Sequence, residues 1–200
     1  EETAINIVEQ YHETHTYSKT DLFVCADMAM DVWNMLQAQG IDAVIQIGDV
    51  EKAVTNMQDS GHAWILAEVA PGQNLALETT SGKTVSRTEN PLYYAGWSFE
   101  NPSEYKRFEE LKYEHNIRVE IYNSLAAHQQ QVATDYNASV DDYNSIVDQY
   151  NAEEASMEEL NDKKAIMKEL EGRYNQLVIL IAEQQQAIDA IPPQMQALAQ

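Results

Sequence analysis

The chain is 200 residues long and 44% hydrophobic, enough for one ordinary core with or without an appended element. It carries 33 Asp+Glu against 12 Lys+Arg, a formal net charge of -21. That balance argues against nucleic acid or an anionic membrane surface as partners, because both recruit through basic patches; it suits solubility or a salty milieu. A single cysteine excludes an intramolecular disulfide framework, and no run approaches the ~18 apolar residues of a transmembrane segment. The chain opens on Glu1 rather than Met, so an upstream segment is expected to have been removed. A signal or anchor there would place the protein outside the cytoplasm or at the cell envelope.

Residues 1 to about 117 read as one mixed α and β domain. Ile5, Val8 and Tyr11 suggest a short helix that ends before Tyr17-Ser18-Lys19-Thr20. From Cys25 to Gln39 the apolar residues Met28, Val32, Met35 and Leu36 recur at helical spacing, and Gly40 stops the pattern. Strands are predicted at Asp42–Gly48, Ala63–Val69 and Leu75–Glu78, the last two joined by the turn-rich Ala70-Pro71-Gly72-Gln73-Asn74. Tyr93–Phe99 reads as a further strand, and Pro102 with Ser103 opens a helix to about His115.

Residues 118–200 follow a different pattern. Tyr122, Tyr136, Tyr143 and Tyr150 share one heptad position, each followed by asparagine, with Leu125, Val132 and Ile146 three residues after successive repeats. A second stripe runs through Leu160, Met167, Tyr174, Ile181 and Ile188. Between them the seam turns polar at Glu153 and Glu154, and Ser156 followed by Glu159 is a capping-box signal. Two antiparallel arms of roughly 35 residues, or about 50 Å each, account for both stripes. One continuous helix in a dimeric stalk is the alternative. Either would offer a surface for self-association or for a protein partner.

The chemistry-bearing residues occur in the order thiol, imidazole, carboxylate: Cys25, then Gly61-His62-Ala63-Trp64, then Leu75-Ala76-Leu77-Glu78-Thr79-Thr80. A free thiol is mostly protonated at neutral pH, and it becomes nucleophilic beside an imidazolium and a helix N-terminus. A carboxylate on the far side of the ring fixes its tautomer. These blocks resemble the core of the transglutaminase-like superfamily, closest to its small archaeal and bacterial members. The cysteine of that core opens a helix, its histidine enters a strand, and an aspartate follows on the next. Separations of 37 residues from Cys25 to His62 and 16 from His62 to Glu78 are in keeping with a compact version over about residues 17–82.

The resemblance implies a papain-like α+β core, with a Cys-bearing helix packed on an antiparallel sheet. It implies Cys25 as nucleophile, His62 as general base or imidazolium partner, and Glu78 as orienting acid. The Cys25 backbone N–H would supply one oxyanion donor; sequence does not fix the second, for which Tyr17 is a candidate. Read from the residues themselves, Trp64 and Trp97 are either core packing or aromatic walls of a substrate site. Two departures stand out. Glu78 replaces the usual aspartate, lengthening the reach by over 1 Å, and Phe23 stands where many members have a small residue.

The expected activity is acyl transfer from an amide in a peptide or protein substrate, with hydrolysis as the default outcome. No cofactor or metal is called for: His12-Glu13-Thr14-His15 lacks the i, i+4 histidine spacing of a zincin helix. The competing expectation is a catalytically silent core that binds partners through the helical region. A solitary cysteine among apolar residues is, taken alone, most often a small buried hydrophobe.

Overall fold

The computed structural model describes residues 1–17 and 24–199; Phe23 and residues 18–20 of the Tyr17–Thr20 stretch lie outside the described residues. The chain is α+β and divides into two compact units, Glu1–Lys112 with the stretch from Pro192, and Tyr113–Ile191.

In the first unit, helices α1 (Glu2–Thr14) and α2 (Cys25–Ala38) precede strands β1 (Ala43–Gly48), β2 (His62–Ala70), β3 (Gln73–Glu78), β4 (Lys83–Val85) and β5 (Trp97–Phe99). Among the described residues these form a five-stranded antiparallel sheet in the order β4-β3-β2-β1-β5. The alternation of β-strand side chains gives the sheet two faces. Ile45, Ile65, Leu77 and Phe99 are cross-strand partners on one of them, all fully buried. α2 packs on β1 and β2 with its buried stripe Met28, Ala29, Val32 and Leu36, and Trp33 donates from its indole to Ala43 O at 2.9 Å. On the other face Trp64, Leu66 and Ala76 pack with Tyr93.

The predicted strand Tyr93–Phe99 is realised only in its second half. Pro91–Tyr94 forms a 3-10 turn that places Tyr93 and Tyr94 over the sheet, and pairing begins at Trp97. Gly96 makes the transition possible. Its φ is +106°, and a Cβ there would sit 2.1 Å from Ile47 O.

Helix α3 (Pro102–Asn151) is continuous, so the helix end expected near His115 does not occur. The reason is visible in the sequence: neither glycine nor proline stands between Ser103 and Asn151, and an Arg118–Glu114 ion pair of 2.8 Å spans the expected break. In the second unit α3 is followed by α4 (Met157–Asp189), opened by Ser156, whose hydroxyl accepts from Glu159 N at 3.2 Å while the Glu159 carboxylate accepts from Ser156 N at 2.7 Å. Lys163–Asp142 at 2.8 Å and Arg118–Gln184 at 3.5 Å show the two helices running antiparallel. Their seam is thin. Val132, Ser139 and Leu177 are its buried members among the described residues, Tyr136 and Tyr143 are half-buried, and Tyr150 is exposed rather than packed. A short helix α5 (Ile191–Gln196) follows, and its Met195 is fully buried.

Candidate active site

Cys25 is the first residue of α2. It is free and partly exposed, and the helix start is fixed by Asp27, whose carboxylate accepts from Val24 N at 3.1 Å. His62 is the first residue of β2, positioned by Gly61, whose N–H continues the ladder to Gly48 O at 3.0 Å. Glu78 is the last residue of β3. Three element ends therefore meet at one end of the sheet.

His62 is the hub. Its Nε2 donates to Glu78 Oε2 at 2.6 Å, and the Cys25 thiol lines the same small cavity as the ring and acts on its protonation. Trp64 stacks against the ring with centroids 5.7 Å apart. Burial disfavours the imidazolium, but the hydrogen bonds to Cys25 and Glu78 and the charge of Glu78 outweigh it, raising the His62 pKa from 6.5 to about 10.

Glu78 is anchored at all four of its acceptor positions. Oε2 also takes the Tyr93 hydroxyl at 2.8 Å, while Oε1 takes Thr80 N at 3.1 Å and the Thr80 hydroxyl at 2.6 Å. Burial opposes its ionisation, yet the His62 hydrogen bond and charge, with Thr80 and Tyr93, hold its carboxyl below the usual value. Strand register accounts for the reach of Glu78 to His62. Ile65 pairs with Leu77, and continuing that register sets Glu78 opposite Trp64, so His62 is its diagonal neighbour on the same face. Diagonal neighbours are about 7–8 Å apart, a span that the extra methylene helps to close.

A cavity of about 150 Å³ opens beside the thiol, lined among others by Cys25, His62, Ser60, Ile47, Phe108 and Tyr105. Tyr105, in α3, is held above its ordinary pKa by burial and by the nearby acids Glu109 and Cys25, so it stands there as a neutral phenol. The structure thus brings Cys25, His62 and Glu78 together. Tyr17, Trp64 and Trp97 lie outside this lining: Tyr17 is exposed, Trp97 is half-buried in β5, and Trp64 is fully buried with its indole donating to Tyr93 O at 2.9 Å. Trp64 backs the histidine instead of walling the cavity.

Tyr93, Thr80 and Ser60 escape the sequence reading as members of the site. Thr80 stands inside the carboxylate block and two residues past Glu78, a spacing typical of side chains that bond a nearby backbone; Tyr93 carries no such local signal. Among the described residues no cluster of three or more His, Cys, Asp or Glu side chains could hold a metal ion, and no helix is long and apolar enough to cross a membrane. Neither a family model, nor a curated protein, nor a solved structure matches this chain.

Proposed function

We propose that the protein is a cysteine-dependent acyl-transfer enzyme that hydrolyses an amide bond in a peptide or protein, on a papain-like core of the transglutaminase-like kind. One observation carries the reading: a half-buried imidazole that lines one small cavity with a thiol at a helix start and is bonded to a fully hydrogen-bonded carboxylate. His62 takes the Cys25 proton and Glu78 stabilises the imidazolium that results. The thiolate lies at the first turn of α2, where peptide dipoles favour negative charge. Sγ attacks the carbonyl carbon and the C=O π pair moves to oxygen. Collapse breaks the C–N bond, the amine leaves with the proton from His62, and water, deprotonated by His62, then hydrolyses the thioester.

The test is alkylation by iodoacetamide at about pH 6, where only an activated thiolate reacts quickly. Fast modification of Cys25, lost in His62→Ala, supports the reading. Slow modification, matching that of a free thiol, overturns it.

A second reading, a catalytically silent core with an interaction arm, draws on the second unit. There Tyr136, Asn137, Tyr174 and Asn175 line a groove of about 380 Å³, and Val178, Ile179 and Leu180 are exposed on α4. Tyr and Asn at a groove and apolar side chains in water suit a protein partner or a second copy of the chain. Slow alkylation together with concentration-dependent self-association would favour it.

A further inference from the structure

Ser60 precedes the Gly61-His62 step and is 6% exposed, yet among the described residues its hydroxyl has no hydrogen-bond partner. Buried hydroxyls are nearly always bonded, so an orphan calls for a cause. Ser60 lines the same small cavity as Cys25 and His62. Its backbone is pinned: Ser60 N donates to Met57 O at 3.2 Å, Ser60 O accepts from Lys112 Nζ at 2.7 Å, and the next N–H is in the sheet ladder. A fixed backbone with an unused donor, on a residue that lines the cavity beside a nucleophile, suits a preorganised group whose partner is a charge that arrives only during reaction.

We infer that the Ser60 hydroxyl is a catalytic hydrogen-bond donor to the acyl oxygen of the substrate, completing with the Cys25 N–H the oxyanion site of this enzyme. The inference rests on the acyl-transfer reading above. It also bears on substrate. The cavity is small, about 150 Å³, so it suits a small acyl side next to the scissile bond, met by Ile47 and Phe108 with Glu109 and Lys112 on the same lining.

When Sγ bonds to the carbonyl carbon, the π pair becomes a lone pair on oxygen and Ser60 O–H donates to it. The pair returns as the leaving group departs, and Ser60 keeps its proton throughout. Alkylation by iodoacetamide has no such oxygen: the C–S bond forms, the C–I bond breaks, and iodide leaves. The two reactions therefore separate the role of Ser60 from that of the thiol.

The experiment compares wild type, Ser60→Ala and Ser60→Thr in two reactions at Cys25, acetylation by p-nitrophenyl acetate, followed by p-nitrophenolate release, and alkylation by iodoacetamide. In Ser60→Ala acetylation should fall about 10²–10³-fold, the usual effect of losing one oxyanion donor, while alkylation is unchanged; Thr, which keeps the hydroxyl, should restore much of the rate. Acetylation of Ser60→Ala at the wild-type rate overturns the inference. So does a parallel fall in both reactions, which would make Ser60 a support of the site's structure. If wild-type Cys25 is inert to both reagents, the acyl-transfer reading itself fails, and the inference with it.

Discussion

Replacing Glu78 by glutamine removes one charge and almost no volume, and its effect can be worked out bond by bond. Each carboxylate oxygen of Glu78 accepts two donors, His62 Nε2–H and Tyr93 O–H on one side, Thr80 N–H and O–H on the other. A glutamine must turn its NH2 towards one of those pairs, so at least one backbone or side-chain donor is left facing a donor. The imidazolium also loses its counter-charge in a site that burial already makes unfavourable for it. Burial works against the His62 imidazolium, and the rise of its pKa from 6.5 to about 10 is shared between Cys25 and Glu78, so Glu78→Gln removes only part of it. Breaking a buried pair by removing one partner costs about 3–5 kcal/mol, which sets the scale expected here.

The pH window of that effect follows from the signs. The raised His62 value contributes stability that is complete below 6.5 and is lost as pH rises through about 10. The depressed Glu78 value contributes stability that is complete above 4.5 and is lost as pH falls through the lowered value. Urea unfolding of wild type and Glu78→Gln across the range should give the largest gap between pH 4.5 and 6.5 and most of it gone by about pH 10. Imidazole chemical shifts should place the His62 titration in the variant well below its wild-type value. A stability gap that is flat from pH 6.5 to about 10, or an unmoved His62 titration, would refute an ion pair at this site.

Three further outcomes test other parts of the structure. Cys25→Ala should abolish acyl transfer outright, whereas Glu78→Gln leaves a measurable remainder because the nucleophile persists; equal residual rates in turnover assays would contradict the assigned roles. Met195→Ala should destabilise the chain by about 2–5 kcal/mol in chemical denaturation, since a fully buried methionine leaves a cavity, and a neutral result would show the C-terminal stretch to be dispensable. Gly96→Ala should unpair β5 from β1, because its Cβ cannot coexist with Ile47 O 2.1 Å away; amide exchange at Trp97 and Phe99 reads this directly, and unchanged protection would count against the described turn.

The features that sequence made legible are those set by local chemistry. Cys25 at a helix start, His62 opening a strand, Glu78 closing one, and the Ser156–Glu159 cap can each be read from a few neighbouring residues. What escaped depends on distant partners. The unbroken α3 could have been expected from the absence of glycine and proline after Ser103, but heptad periodicity beginning near residue 118 suggested a boundary instead. Tyr93 reached Glu78 only because Pro91 and Asn90 start a 3-10 turn in place of a strand, with Asn90 Oδ1 accepting from Leu92 N at 3.0 Å. Trp64 could pass for a substrate wall because alternation says which face it takes, not that Tyr93 and Tyr94 cover that face.

The division of hydrogen bonds within the site ties stability to function. Glu78 is saturated, and its ordered partners fix the imidazole in place. Ser60 is the opposite case, a buried hydroxyl without a partner among the described residues, two residues before His62 opens its strand. Leaving it so costs the folded state about 1–3 kcal/mol relative to a satisfied group. Ser60→Ala removes the orphan without opening a large cavity, so the variant should unfold at the same or a higher urea concentration than wild type. A hydroxyl that merely supported the fold would behave the other way, and the alanine variant would be the less stable. Stability gained together with acetylation lost is the combination that a preorganised donor requires, because the cost of holding it ready is met in the folded state and recovered only when negative charge appears on the acyl oxygen.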